Sequence, residues 1–421
     1  MNILIVGSGG REHALAWKIA QSDHCKNLYI APGNAGTGLC GTNVDIDILD
    51  IGNLRQFSLE NRVDLLVVGP EAPLVEGITD SFRIGDTKHI NIIGPSAYAA
   101  QLEGSKAFAK KFMQKYDIPT AAYMEVSRVN LTSGVKFLEE LKPPYVLKAD
   151  GLAAGKGVLI IDDLTEAKAQ LKDMLDGKFG KASEIVVIEE FLSGIEFSVF
   201  ALTDGKSYVL LPEAKDYKRI GEGDTGLNTG GMGAISPVPF IDDLLWKKVV
   251  QSIVEPTIKG IAAEKMDYTG FVFFGLISVG GEPMVIEYNC RLGDPETEVI
   301  IPRIKSDLLQ LFRDAVSGNL KDAKMEVDSR SASTVMMVSG GYPGDFDKGK
   351  LINGSEKIKS SLIFHGGTKK TGKEIFTNGG RVLAVTTLND DYRKAVRISL
   401  SNADKIHFEG KYYRHDIGFD L

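Results

Sequence analysis

Four short apolar runs open the chain, at residues 2–6, 27–30, 65–68 and 91–93, and each breaks into a loop rich in glycine and proline. A helical pattern over 14–21 follows the first. Short apolar strands alternating with helices leave few architectures open. They predict an α/β fold whose N-terminal part is a parallel, Rossmann-like sheet. In such a sheet the loops after the strands gather at one edge, where ligands bind. Residues 7–13, 31–37, 69–74 and 94–96 therefore form a first candidate site.

The first loop carries Gly7 and Gly9, but Glu12 stands where a dinucleotide fingerprint needs a third glycine. The second strand ends in Ala31-Pro32, with no acid for a ribose 2′-hydroxyl. Both departures disfavour a nicotinamide cofactor. Free N–H groups at the start of the first helix suit a phosphate instead. A glycine-rich turn without a ligand is the bland alternative.

The middle of the chain reads differently. A helix predicted over 101–116 carries Lys106, Lys110, Lys111 and Lys115, most of them expected in solvent. A strand at 145–148 enters the glycine-rich hairpin 149–158. Gly151 and Gly155 are too close for a Walker A loop, and Gly157 stands where Ser or Thr should follow Lys156. Backbone N–H groups of such a hairpin could still cover phosphates. After a helix over 163–175, a strand at 185–189 ends in Glu189 and Glu190. Strands 197–202 and 208–211 pair over Asp204-Gly205. Residues 214–237 are expected to form one long irregular loop, and loops of that length inside a compact domain are usually functional or disordered. A helix over 242–265, a buried strand over 271–279, a helix over 302–316 and a polar linker at 317–330 follow. The last ninety residues, roughly, read as a small α/β unit.

Composition closes off several functions. The net charge of −7 gives no electrostatic case for nucleic acid. No apolar run reaches the roughly 18 residues that would span a bilayer, so no membrane partner is expected. Cys25, Cys40 and Cys290 form neither a disulfide framework nor a zinc site. With no signal peptide evident, a cytoplasmic setting is expected. The six histidines fall in no metal or catalytic spacing, and His13 is a candidate to cap the first loop.

The stretch 286–298 carries the sharpest chemistry. On a strand, Glu287, Asn289 and Arg291 share one face, leaving Ile286, Tyr288 and Cys290 towards the core. A carboxylate and an amide oxygen are hard ligands suited to Mg²⁺, which keeps few protein ligands and takes substrate phosphates. An arginine beyond them suits a phosphoryl group. Taken alone, the stretch fits this reading or an exposed strand face with one ion pair.

The order of Lys106, Lys148 with its glycine hairpin, Glu189 with Leu192, and the Glu287-x-Asn289-x-Arg291 strand resembles the ATP-grasp superfamily. Within it, the loops at 7–14, 31–37, 69–74, 102–110, 148–158, 228–234, 289–298 and 413–418 are similar to the phosphoribosylamine–glycine ligase family. The resemblance implies three parts: a phosphoribosylamine-binding α/β domain at 1–104, an ATP-grasp domain at 105–318 with a lid at about 120–192, and a small C-terminal α/β domain at 331–421. It implies ligation of glycine to 5-phosphoribosylamine at the expense of ATP, through glycyl phosphate, in purine biosynthesis. Glu287 and Asn289 would hold Mg²⁺ or Mn²⁺, and Arg291 would be the catalytic cation. Lys106, Lys148, Gly155, Lys156, Gly157, Glu189, Leu192 and Glu196 would bind ATP. Gly9, Gly10, Arg11, Glu12, Asn34, Pro70 and Glu71 would take the phosphoribosylamine. Asp216, Lys218, Arg219, Asn228, Thr229, Gly230, Asp294, Pro295, Glu296 and Thr297 would face glycine and the ribonucleotide.

The chain departs from that family's pattern at Tyr217, Leu227 and Ile235, all in or near the substrate loop. An ATP-grasp ligase of other specificity is the first rival reading. A non-catalytic nucleotide sensor is the second, and it would be expected to have lost Arg291 or a metal ligand.

Overall fold

The structure is a computed structural model and describes residues 1–152 and 157–421. The N-terminal sheet is parallel throughout, as its strand–helix alternation predicts. It has five strands, not four: Thr42–Asn43, Asn27–Pro32, Asn2–Gly7, Leu65–Val68 and Asn91–Ile93 lie side by side in that order. The central strands are buried on both faces, which is why they read as continuous apolar runs.

The helix expected over 101–116 is two helices, Gln101–Gly104 and Lys106–Lys115. Ser105 between them is extended, and its hydroxyl accepts the Phe108 N–H at 3.0 Å. This cap places Lys106 at the first position of the second helix. Lys110, four residues on, shares its face.

A four-stranded antiparallel sheet follows, in the order Tyr123–Val126, Val186–Glu189, Tyr145–Ala149 and Val158–Ile161. Its strand ends carry Lys148 and Glu189.

The region 214–237 is not the irregular loop expected from its polarity. The strand Tyr208–Asp216 runs on through residue 214, a hairpin of Arg219–Gly221 and Thr225–Asn228 projects, and Gly233–Ser236 returns to the sheet. The reason is tertiary: Gly233–Ser236 is flanked on both sides by partners that hydrogen-bond it. One of those partners is Ser331–Val338, so the sheet runs on unbroken into the C-terminal residues. All eight strands share one sheet, from Glu282–Asn289 at one edge to Leu362–His365 at the other. The helical stretch expected over 302–316 also begins later, at Leu308, where the Asp307 carboxylate caps the Leu309 and Gln310 N–H groups.

Candidate active site

Two cavities, of 610 and 220 Å³, share a wall made by Lys148, Glu189, Glu287, Asn289 and Arg291. The end of the strand Glu282–Asn289 supplies Glu287 and Asn289, and Arg291 follows two residues beyond it. Glu287 pairs with Gly275 and Val285 with Leu276, so Ile286 is an extra residue, a β-bulge. The bulge corrects one expectation: Ile286 does not turn to the core with Tyr288 and Cys290 but lines both cavities beside Glu287.

Arg291 is held from behind. Its Nη2 lies 2.8 Å from the Glu103 carboxylate and its Nε 3.2 Å from Glu71. Burial alone would raise the Glu71 carboxyl, but Arg291 and Arg11 hold it below its usual range. Glu103 is pushed up to about 7 by burial, partly offset by Arg291. Glu103 also accepts the Cys290 N–H at 2.7 Å. Turned so that its nitrogen faces these acceptors, the Asn289 amide donates to Glu103 at 2.8 Å and to the Tyr288 carbonyl at 3.3 Å. That orientation commits the nitrogen and leaves Oδ1 as the free acceptor.

Glu287 makes no ion pair among the described residues, although lysines surround it. A free carboxylate beside a free amide oxygen is the donor set a hard divalent cation takes when substrate phosphates complete its shell. Among the described residues, no group of three or more His, Cys, Asp or Glu side chains is placed to hold a metal by itself. Glu287 and Asn289 therefore fit a metal bound together with a polyphosphate.

The lysines face this strand. Lys106 and Lys148 reach the smaller cavity with Glu287. Burial holds Lys106 below its usual range, with Lys148 adding to the effect. Lys110, expected in solvent, is buried instead. It lies 3.1 Å from Glu189 and donates to Thr120 Oγ1 at 2.8 Å. Glu189 is also 3.0 Å from Lys148. Burial would raise Glu189, but the two lysines hold it below the usual range. Its carboxylate is thus committed to fixing lysines, which leaves the adjacent backbone for any base.

The larger cavity extends to a second set of groups. Arg11, Pro70, Glu71, Leu192, Glu196, Asp216, Lys218, Asn228, Thr229, Gly230, Asp294 and Glu296 all line it. Lys218 bridges Glu196 at 2.7 Å and stands 4.0 Å from Asp216. Burial opposes its charge, but Asp216 and Glu196 outweigh it and raise its pKa. Glu296 is pushed up to about 7, by burial first and then by Asp216. Arg381, which the sequence reading left out, joins this wall. It lies 3.0 Å from the Asp294 carboxylate and donates to the Asp294 carbonyl at 2.6 Å.

Other expected site residues stand elsewhere. Gly9, Gly10 and Glu12 do not line either cavity. Glu12 folds back, accepting from the Gly9 N–H at 2.6 Å and from Arg11 Nε at 2.6 Å. A Cβ on Gly7 or Gly69 would come within 2.4 or 2.1 Å of that side chain, so both glycines make room for it. Its consequence is indirect: it orients Arg11, whose Nη1 donates to the Leu292 carbonyl at 2.9 Å. Asn34 lines a separate 420 Å³ cavity with Gly366 and Gly367 and donates to the His365 carbonyl at 2.7 Å. Arg219 turns into its own hairpin, donating to the Gly226 carbonyl at 2.8 Å. Pro295 packs on Gly231, and Thr297 hydrogen-bonds the Gly293 carbonyl. Gly157 reaches the smaller cavity. Gly155 and Lys156 lie outside the described residues.

Glu103, Lys110 and Arg381 were missed. Lys110 had a signal, since it lies one helical turn from Lys106. Glu103 and Arg381 had none in their own spacing, because only the fold brings Glu103 to Arg291 and Arg381 to Asp294, far along the chain from each.

Three family models match in succession: the phosphoribosylglycinamide synthetase N domain at residues 1–103, its ATP-grasp (A) domain at 104–297 and its C domain at 332–420. The phosphoribosylamine–glycine ligase of Vibrio cholerae is 46% identical over 425 residues, covering 100% of this chain and 98% of that protein. That of Escherichia coli K12 is also 46% identical, over 426 residues, with the same coverage. The crystal structure of the phosphoribosylamine–glycine ligase from Thermotoga maritima is 36% identical with a TM-score of 0.85, covering 99% of this chain and all of that one. Biotin carboxylase from Campylobacter jejuni shares the fold, at 15% identity and a TM-score of 0.75 over 99% of this chain and 93% of that one.

Proposed function

The chain belongs to the phosphoribosylglycinamide synthetase family, and on that premise we propose that it ligates glycine to 5-phosphoribosylamine, using ATP, in purine biosynthesis. Domain limits of 1–104, 105–318 and 331–421, with a lid at about 120–192, go with this reading, as does a cytoplasmic setting. No described helix is long and apolar enough to cross a membrane.

The observation that carries the reading is the shared wall. A strand end and the turn after it present Glu287, Asn289 and Arg291 to both cavities, with lysines lining the smaller one and a mixed acid–base set the larger. ATP would lie with its base against Val146, Val158, Ile160 and Leu192, its ribose near Glu196, and its phosphates between Lys106 and Lys148. Glu287 and Asn289 would hold Mg²⁺ or Mn²⁺. Such an ion supplies Lewis-acid polarisation and a charge clamp on the phosphates.

A glycine carboxylate oxygen attacks the γ-phosphorus, and the bond to the ADP oxygen breaks. Arg291, already oriented by Glu71 and Glu103, faces the charge that spreads over the transferring group. The phosphoribosylamine nitrogen then attacks the acyl carbon of glycyl phosphate. Inorganic phosphate leaves, and the amine loses a proton. Arg11, Glu71, Asp216, Lys218, Asn228, Thr229, Gly230, Asp294 and Glu296 would seat the two small substrates. Closure of the lid would exclude the water that hydrolyses an acyl phosphate.

The test is ADP release measured with glycine, with and without phosphoribosylamine, against a panel of other carboxylates. Turnover that requires both substrates is expected. Turnover with another carboxylate and none with glycine would reassign the chain to an ATP-grasp ligase of different specificity.

A further inference from the structure

The hairpin Arg219–Gly221 and Thr225–Asn228 has no core of its own. All four residues of its second strand are exposed. A lone two-stranded hairpin is at best marginally stable in water. Yet it joins Lys218 to Asn228 and Thr229, which line the larger cavity. Its base is tied by Thr229, whose N–H and hydroxyl both donate to the Lys218 carbonyl at 2.8 Å. Any slack in the hairpin therefore reaches those cavity residues.

What holds the hairpin comes from the end of the chain. Arg414 is 0% exposed. Its Nη1 donates to Asp224 at 2.6 Å and to the Arg219 carbonyl at 3.1 Å. Its Nε and Nη2 grip Asp416 at 2.8 and 2.7 Å. Asp416 in turn accepts the Gly223 N–H at 2.7 Å. The Tyr412 hydroxyl donates to the Ile220 carbonyl at 2.9 Å, and His415 meets Glu222 at 3.0 Å. The guanidinium thus spans one strand and the turn at once, a geometry that lysine cannot copy.

We propose that Arg414 is a positioning residue for the substrate side of the cavity. It lines neither cavity itself. Through Asp224, Asp416 and the Arg219 carbonyl it fixes the hairpin, and so sets where Lys218, Asn228 and Thr229 stand. The C-terminal tail is then part of the specificity apparatus, although Tyr412, Arg414, His415 and Asp416 line neither cavity. This rests on the reading that this face seats glycine and phosphoribosylamine. The hairpin base meets the nucleotide side through the bridge from Lys218 to Glu196 at 2.7 Å, so ATP binding should feel the change much less than the two small substrates do.

The variants are Asp224→Ala, on an exposed side chain that leaves the core alone, and Arg414→Lys. In each, KM for glycine or phosphoribosylamine should rise about tenfold, the worth of one charge-assisted hydrogen bond. KM for ATP should stay within about twofold. The double variant should be little worse than either single one, because both cut the same link. Trypsin cleavage after Lys218 or Arg219 should quicken in both variants, a readout that needs no turnover. Unchanged substrate KM together with unchanged cleavage in Asp224→Ala would overturn the proposal, whether or not Arg414→Lys folds. So would an equal rise in all three KM values. A wild-type protein with no glycine-dependent turnover would refute the functional reading instead, and the cleavage rates would still decide whether Arg414 holds the hairpin.

Discussion

At the scale of single residues, near neighbours in sequence differ in what they do for the fold. Arg291 is clamped between Glu71 and Glu103, whereas Glu287 has no ionic partner among the described residues. Arg291→Ala would leave two partly or fully buried carboxylates unpaired and should cost about 3–5 kcal/mol of stability as well as activity. Glu287→Ala should reduce ADP release by roughly 10²–10³-fold while leaving the melting temperature nearly unchanged. Thermal melts beside the assay separate the two, and full activity in Glu287→Ala would end the metal reading. Glu298 makes a second case. Neither of its buried oxygens finds a donor among the described residues. Burial, with Asp294 beside it, raises its pKa well above the usual value and so favours the protonated form. The folded state then holds a proton that the unfolded state releases. Its contribution is complete below the unfolded value near pH 4.5 and is lost as pH rises towards the folded value. Glu298→Gln should therefore show a shallower fall of stability as pH rises above about 4.5 in denaturant titrations. Strand periodicity put Glu287, Asn289 and Arg291 on one face but left an exposed strand face as the alternative. Glu298 and Glu103 were not legible, because only tertiary burial distinguishes them from solvated acids.

At the scale of elements, position depends on caps and edges as much as on propensity. Ser105 ends one short helix and starts another, and its hydroxyl also donates to the Asp150 carboxylate at 3.0 Å. Ser105→Ala should cost about 1 kcal/mol and raise KM for ATP by loosening the placement of Lys106, as steady-state kinetics would show. The Gly-Ser step inside a helical pattern hinted at this break. The strands within 214–237 gave no such hint, since their side chains are polar and glycine-rich. Their order comes from ladder partners on either side and from Arg414, none of which periodicity can reveal.

At the scale of the whole molecule, the first and last parts of the chain are fastened by a neutral histidine pair. The His365 N–H donates to His13 Nδ1 at 2.8 Å, and both rings are buried. Burial lowers His13 to about 3, with His365 adding to the effect, and lowers His365 to about 4. For groups lowered in this way, stability is present above the unfolded value of 6.5 and is lost as pH falls towards the folded values. Each should forfeit of the order of 3 kcal/mol by about pH 4. His365→Gln should flatten that acid limb in a melting-temperature series. The alternation of strands and helices forecast the parallel sheet, but nothing local forecast that the strand Ser331–Val338 would complete a sheet begun far upstream. That junction also imposes an order in time. A ribosome releases Gly233–Ser236 roughly a hundred residues before its partner strand, some 5–20 s at ordinary elongation rates. During that interval the nascent chain presents an unpaired strand edge, the kind that recruits other chains. A chain stopped at residue 330 would keep that edge permanently, and a sedimentation assay should find it in the pellet while the full chain stays in the supernatant.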